Sequence, residues 1–151
     1  MTHPNEAYQQ WRERPEDFKL LERIPFTQKS AQWPLPLFDP VGDEIEMVIL
    51  DTETTGLSAA DDAIIELGMV KLMYSKSLNR ITSIEDVISV YEDPQRPISA
   101  FVTRLTGITD EMVKDQHIDS AWVAEWLSNK PLIVAHNAQF DRPFFEELFQ
   151  N

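Results

Sequence analysis

The sequence predicts an α/β domain in which a mixed sheet is flanked by helices and the strand ends meet at one crevice. Three β-compatible segments follow one another between positions 47 and 91, each bounded by polar or turn-forming residues. After Pro97 the spacing of apolar residues becomes helical. A short apolar segment and a last helical pattern close the chain, and this order of elements is typical of α/β sheets.

The three β segments predict an antiparallel meander. The first is the apolar run Met47–Leu50, which leads directly into two acidic residues. The second is Ala63–Tyr74, and the third is approximately Ile84–Tyr91, with polar connections at residues 58–62 and 75–80. Alternation in the second segment predicts two faces. They are Ile65, Leu67, Met69 and Lys71 on one side, and Ile64, Glu66, Gly68 and Val70 on the other.

Three helices are predicted between residues 99 and 126, each with a capping residue. The caps are Ser99, Thr109, and either Asp119 or Ser120. The first helix covers Ala100–Leu105 and ends at Gly107, a residue type that often follows a helix C-terminus. In the third helix, Trp122 and Trp126 follow the spacing of a core-facing stripe and are predicted to be buried.

The C-terminal part predicts a strand followed by a helix. Pro131–Ala135 reads as a short buried strand, and Asn137 is placed to cap the closing helix. The apolar stripe of that helix is Phe140, Phe144 and Leu148. Asp141 lies in its first turn, and the preceding strand directs it to the same end of the sheet as the acids after Leu50.

Length and composition exclude several classes of protein. A chain of 151 residues with 42% hydrophobic residues is long enough for one domain with a real core. No apolar run has the length of a membrane span, and the polar N-terminus does not resemble a signal peptide. The chain has no cysteine, so it has no disulfide framework, and a cytoplasmic location is the default expectation. A net charge of −13 argues against a protein that grips long stretches of nucleic acid.

Two regions are predicted: an arm over residues 1–44 and a domain over residues 45–151. Within the arm, Pro15–Ile24 has helical spacing, and four prolines between residues 25 and 40 exclude a sustained helix or central strand. The apolar residues Trp33, Leu35, Leu37 and Phe38 allow two interpretations. The arm binds a partner, or it packs as a strap along its own domain. We favour the strap.

Two carboxylates lie at the end of the first strand. Asp51 and Glu53 are two positions apart, so they project from the same face of a strand. Neighbouring acids repel each other, and a fold tolerates this mainly where a divalent cation or a shared proton offsets it. The pair therefore predicts a site for a hard metal ion at the end of a central strand.

Three motifs together resemble one family. They are LDTETTGL at residues 50–57, LTGITDEMV at 105–113 and VAHNAQFD at 134–141. This combination resembles the DnaQ-like (DEDDh) 3′→5′ exonucleases, which include the epsilon subunit of bacterial DNA polymerase III and the exonuclease regions of some replicative polymerases. The resemblance covers approximately residue 46 to the C-terminus. It implies a ribonuclease H-like mixed sheet and hydrolysis of phosphodiester bonds at nucleic-acid 3′ ends in replication or repair.

The resemblance also implies residue roles. Asp51, Glu53 and Asp141 are expected to be catalytic and to bind two Mg²⁺ or Mn²⁺ ions, for which hard oxygen ligands are suited. The expected contacts to the terminal nucleotide are Thr52, Thr54, Leu57, Thr106 and Phe140. The expected partners are the 3′ end of DNA or RNA, and a polymerase subunit or a second copy of the chain. No membrane partner is expected.

The sequence departs from the family pattern at two points. Thr106 stands where many relatives have a histidine. The third motif, a His followed five residues later by an Asp, is not found, so the sheet is expected to lack its last strand and helix. Two hypotheses follow. The first is a metal-dependent exonuclease, with this chain carrying the larger part of its catalytic domain. The second is a catalytically inactive exonuclease-fold module used for binding.

Overall fold

A mixed five-stranded sheet, with strand order β1-β4-β3-β2-β5, runs through residues 32–150, the part of the chain that the computed structural model describes. The strands are β1 (Leu35–Pro36), β2 (Glu44–Thr54), β3 (Ile64–Ser75), β4 (Arg80–Tyr91) and β5 (Leu132–Val134). The three long strands form the predicted antiparallel meander. The short strand β5 pairs with β2 in parallel, which makes the sheet mixed and confirms the predicted class.

Within residues 32–150, three helices precede the C-terminal strand and a fourth follows it, in the predicted order. They are α1 (Ala100–Thr106), α2 (Asp110–Val113), α3 (Ser120–Trp126) and α4 (Ala138–Glu147). The predicted flanking residues of α1 are confirmed, because the Ser99 side chain accepts a hydrogen bond from the N–H of Val102 and Gly107 has a positive φ of 80°. The helix extends one residue beyond the predicted end at Leu105. Asp119 caps α3 by accepting from the N–H groups of Ala121 and Trp122.

The main hydrophobic cluster joins one face of the sheet to α3 and α4. Its buried members are Val48, Leu50, Ile64, Leu67, Met69, Ile118, Val123, Phe144 and Phe145. A second cluster contains Ile65 of β3 and four buried residues in or next to α1 and α2. They are Ile98, Val102, Ile108 and Val113. The main cluster fixes α4 relative to β2, and this contact positions the site.

A register shift corrects the predicted alternation in β3. Glu53 pairs with Glu66 but Thr54 pairs with Ile64, so Ile65 is an extra residue at this point. A bulge of this kind changes the direction of the side chains on either side of it. Ile64 therefore joins the main cluster and Ile65 the second one, whereas the simple alternation had placed Ile65 with Leu67.

Strand β4 begins earlier than predicted. Pairing continues to Ser75 opposite Arg80, the two residues that bound the predicted polar connection. The turn between β3 and β4 is compact because Asn79 has a positive φ of 50°. The polar side chain of Thr82 is buried in this extension and donates to the carbonyl of Met73.

Strand β5 is not the buried strand that was predicted. Leu132, Ile133 and Val134 are 54%, 44% and 39% exposed. The strand lies at the edge of the sheet and has a paired neighbour, β2, on one side only within the described residues. An apolar sequence alone does not distinguish an edge position from a central one, so the prediction was wrong in burial and correct in type.

Three predictions about the helices need correction. Trp122 is 40% exposed, and Val123, which is fully buried, occupies the core-facing position of α3. Trp126 is partly buried, as predicted, and its indole N–H donates to Asp86. Thr109 and Asn137 precede α2 and α4 as expected, but their side chains make no capping hydrogen bond.

The described part of the predicted arm lies along the sheet. Leu35 pairs with Ile84 of β4, and the N–H groups of Leu37 and Phe38 donate to the carbonyl of Thr82. Residues 35–38 therefore lie against strand β4. For the arm as a whole, the strap interpretation stays a prediction. The predicted helix over Pro15–Ile24 lies outside the described residues.

No helix within residues 32–150 has the length and apolarity that a bilayer span requires.

Candidate active site

The C-terminal end of β2 presents two carboxylates on its more open face. Leu50, Thr52 and Thr54 are buried, whereas Asp51 is exposed and Glu53 is half-buried. Their positions confirm the prediction that both acids share one face. Gly68 pairs with Asp51 on β3, so no side chain covers Asp51 from that strand position.

Helix α4 brings a third carboxylate to the same strand end. Asp141 is only 3% exposed, and its Oδ1 accepts hydrogen bonds from the N–H of Thr52 (3.1 Å) and from the Thr52 hydroxyl (2.9 Å). The pairing of β5 with β2 ends at Ile49, so the Asp141 carboxylate binds the backbone of β2 just beyond that point. This contact places Asp141 beside the residue that separates Asp51 from Glu53.

The environment of this strand end disfavours the ionisation of Asp51 and Glu53. Partial loss of hydration raises the pKa of Asp51, and the charges of Asp141 and Glu66 raise it further. The pKa of Glu53 is also raised, first by burial and then by repulsion from Asp51, Glu66 and Asp141. The strand end is therefore a region of negative potential that a cation would relieve.

Two further residues belong to this region, and the sequence analysis missed both. Glu66 lies directly opposite Glu53 in the β2–β3 register and accepts a hydrogen bond from the Ser89 hydroxyl (2.5 Å). His136 is exposed, two residues beyond the end of β5, and lies near enough to Asp51 for its charge to lower the pKa of that carboxyl. The meander predicted the β2–β3 pairing but not its register, so it could not have identified Glu66.

The donor set fits a hard divalent cation. Asp51, Glu53 and Asp141 offer carboxylate oxygens, which are the ligands that Mg²⁺ and Mn²⁺ prefer. Within residues 32–150, no group of three Asp, Glu, His or Cys side chains is close enough together in this structure to hold a metal ion. The fit therefore rests on ligand chemistry and on the repulsion between these acids.

The predicted nucleotide-binding residues fall into two groups. Leu57 is 87% exposed and lines a shallow cleft with the partly buried Phe140, so the structure brings these two together. The threonine hydroxyls have partners inside the protein: Thr52 donates to Asp141, Thr54 to the carbonyl of Gly56, and Thr106 to the carbonyl of Val102. Their contact with a nucleotide stays a prediction.

Comparison with known structures identifies the class of fold. The chain is similar to exonuclease I, with a TM-score of 0.53, 19% identity, and coverage of 70% of this chain and 24% of that one. A complex of E. coli exonuclease I with a dA16 oligonucleotide gives a TM-score of 0.52 at 18% identity, over 70% of this chain and 23% of the other. The mixed sheet is that of the ribonuclease H-like exonucleases.

The family follows from the sequence. The exonuclease family RNase_T matches residues 48–149, and the chain belongs to that family. It is 42% identical over 105 residues to the PolC-type DNA polymerase III of Caldanaerobacter subterraneus, and 39% identical over 112 residues to that of Bacillus subtilis. These matches cover 68% and 72% of this chain and 7% of each polymerase, so the chain spans a small part of those relatives. The family is metal-dependent.

The Glu66→Gln variant is expected to be more stable than the wild type at pH 7 without metal. The raised pKa values of Asp51 and Glu53 mean that folding loses stability as pH rises through their folded-state values, and Glu66 contributes to both shifts. Because these groups are largely solvated, we expect a gain of about 0.2–1 kcal/mol at neutral pH. Urea denaturation in EDTA measures it.

The gain should disappear below about pH 4, where the carboxyls become protonated in the folded and unfolded states. The amide introduced by Glu66→Gln retains an oxygen for the Ser89 hydroxyl, so that hydrogen bond can be kept. Glu125→Gln, at an exposed position on α3, is the matched control. An equal gain from both variants would contradict a local origin.

Proposed function

We propose that this chain carries a divalent-metal-dependent 3′→5′ exonuclease site that acts on the ends of DNA. The observation that carries the proposal is the hydrogen bonding of Asp141 to Thr52, the residue between Asp51 and Glu53. This bond joins two segments 89 residues apart and gathers three carboxylates at one strand end. Membership of the exonuclease family supports hydrolysis as the activity.

Asp51, Glu53 and Asp141 are the proposed ligands of two Mg²⁺ or Mn²⁺ ions. When bound, such ions lower the pKa of an attacking water and stabilise the leaving 3′ oxygen in phosphodiester hydrolysis. The protein's own contribution is to fix the carboxylates on one strand end and one helix. Thr52 has a direct part in this, because it orients Asp141 through two hydrogen bonds.

The proposed substrate is a single-stranded 3′ end. A solved exonuclease I complex contains an oligonucleotide, and the PolC-type relatives are DNA polymerases. In this chain, Leu57 and Phe140 would contact the terminal base from the cleft that they line, and Thr52, Thr54 and Thr106 would complete the contacts. The net charge of −13 implies weak binding of nucleic acid unless metal ions offset it. A cytoplasmic role in replication or repair, next to a polymerase, is part of this proposal.

We place the boundary of this exonuclease domain at residue 45, with residues 1–44 as an arm. The family match begins at residue 48, close to that boundary. Strand β1, inside the proposed arm, pairs only with β4 among the described strands. Its backbone pairing is therefore limited to the edge of the sheet.

The experiment measures nucleotide release from a single-stranded oligonucleotide labelled at its 3′ end, in Mn²⁺ and in EDTA. The chain is compared with a version extended downstream through any His-x-x-x-x-Asp. We expect the labelled 3′-terminal nucleotide to be released as a mononucleotide before the rest of the strand is degraded, and only when metal is present. No release by either protein would overturn the exonuclease proposal and favour the inactive binding module. The same oligonucleotide labelled at its 5′ end is the comparison. Release of the 5′ label before the 3′ label would contradict the proposed direction.

A further inference from the structure

The loop between β2 and β3, residues 55–63, is held by a network centred on the carboxylate of Asp62. Its Oδ2 accepts from the N–H of Ser58 (3.1 Å), and its Oδ1 accepts from the Thr55 hydroxyl (3.1 Å). Arg96, which precedes α1, donates from one nitrogen to the Thr55 hydroxyl (2.6 Å) and to Asp62 (3.2 Å). One carboxylate and one guanidinium thus join both ends of the loop to a distant segment.

The hydroxyl of Thr55 uses its full hydrogen-bonding capacity in this network. Its hydroxyl donates to Asp62 and accepts from Arg96 and from the N–H of Ala63 (3.1 Å). Its backbone N–H donates to the carbonyl of Ala63 (2.9 Å). The two ends of the loop are therefore joined to each other, at the point where the chain leaves β2 and enters β3.

Gly56 allows the carboxylate of Asp62 to lie against the backbone. A Cβ added at Gly56 would lie 2.4 Å from Asp62 Oδ2 and 2.6 Å from Oδ1, which is closer than real contacts allow. The requirement for glycine here is steric, because its φ is not in the left-handed region. The glycine of the TTG sequence after the two acids is thus explained by a contact with Asp62, six positions later.

The network holds an apolar side chain out in solvent. Leu57 follows Gly56 and is the most exposed of the large hydrophobic residues within the described part of the chain. An exposed leucine in a flexible loop can fold back onto an apolar surface of the protein. This loop, however, is fixed on both sides of Leu57 by the hydrogen bonds of Thr55 and Ser58. The side chain is therefore preorganised for an apolar partner in the cleft that it lines with Phe140.

We propose that Asp62 and Arg96 are positioning residues for the substrate: they hold the turn at residues 54–57 so that Leu57 packs on the terminal base. This inference rests on the proposed function. Neither residue touches the three acids or the nucleotide in this proposal, since both act through Thr55 and the loop. A surface ion pair with only a structural role would affect stability slightly and nucleotide binding not at all.

The first measurement is amide hydrogen exchange in the loop without metal or nucleotide. The variants are Arg96→Ala, Asp62→Asn and the near-isosteric Thr55→Val. We expect faster exchange at Thr55, Ser58 and Ala63 and unchanged exchange in β3 and β4. Lys76→Ala is the control, because it removes an exposed positive charge from the turn at the other end of β3. Arg96→Lys, which keeps a donor, should restore part of the protection.

The second measurement is the Kd of thymidine 5′-monophosphate in Mn²⁺, by calorimetry on the full chain. Leu57→Ala and Arg96→Ala are each expected to weaken binding about tenfold, the scale of partly burying one leucine. Because Arg96 acts through Leu57, the double variant should bind no more weakly than Leu57→Ala alone. Lys76→Ala should bind like the wild type.

The outcomes separate this inference from the proposed function. Unchanged loop exchange in Arg96→Ala and Asp62→Asn overturns the inference, whether or not the nucleotide binds. Faster exchange with additive losses in the double variant also overturns it, because Arg96 would then act by another route. If the wild type binds no nucleotide in Mn²⁺ and releases none from DNA, the proposed function fails and the positioning role fails with it. Faster loop exchange together with non-additive losses of nucleotide binding supports the positioning role of Asp62 and Arg96.

Discussion

Asp51→Asn is expected to lower Mn²⁺-dependent nucleotide release by about 10³-fold or more, the scale of losing a group that stabilises transition-state charge. Asp51 lies within electrostatic reach of Asp141, Glu66 and Glu53. Asparagine keeps the size of the side chain and removes its charge. The measurement is the initial rate on the 3′-labelled oligonucleotide, with Glu125→Gln as the control.

The same substitution should stabilise the protein when metal is absent. The pKa of Asp51 is raised in the fold, so its ionised form at pH 7 opposes folding, and asparagine removes that cost. In the wild type, saturating Mn²⁺ should raise Tm by several degrees, since an ion that binds only the folded state stabilises it. Asp51→Asn should have a higher Tm in EDTA and a smaller rise with Mn²⁺.

This pair of effects distinguishes a ligand from a structural residue. A residue needed for folding loses activity and stability together, whereas a metal ligand loses activity and gains metal-free stability. A lower Tm in EDTA would contradict the repulsion argument. An unchanged response to Mn²⁺ would show that Asp51 does not bind the ion.

Phe144→Ala is expected to reduce the free energy of unfolding by about 3–5 kcal/mol, the usual cost of removing a buried phenylalanine. Phe144 is 3% exposed in the main cluster, and its ring lies 5.2 Å from that of Phe140. Both residues belong to α4, the helix that carries Asp141. Urea denaturation measures the loss.

The variant should also weaken the site, because α4 is seated on the sheet through this cluster. Phe101→Ala is the matched control, since Phe101 is 66% exposed on α1 and should cost less than about 0.5 kcal/mol. A loss of similar size in both variants would contradict the assignment of Phe144 to the core.

The sequence predicted those features whose causes are local. Ser99 and Gly107 delimit α1 because a cap and a left-handed residue act within one turn of the helix. Asp51 and Glu53 share a face because alternation in a strand is set by the backbone. Asp141 was found through a motif, and its contact with Thr52 agrees with that reading.

Features that depend on distant segments were missed. The exposure of β5 depends on its position at the edge of the sheet, and the bulge at Ile65 depends on the register with β2. Glu66 joined the acidic group for the same reason, because only the register places it opposite Glu53. The roles of Asp62 and Arg96 required the geometry of a loop that has no sequence periodicity.

The parallel pairing of β5 with β2 has a consequence for the order in which the site forms. The β2–β3 hairpin needs only local contacts, so Asp51 and Glu53 come to share a face as soon as it closes. Met47 pairs with Leu132, 132 − 47 = 85 positions further on, and such a contact must close a long loop. We therefore expect the two acids of β2 to be in place early in folding. We expect Asp141 to join them later, when the last strand and helix dock.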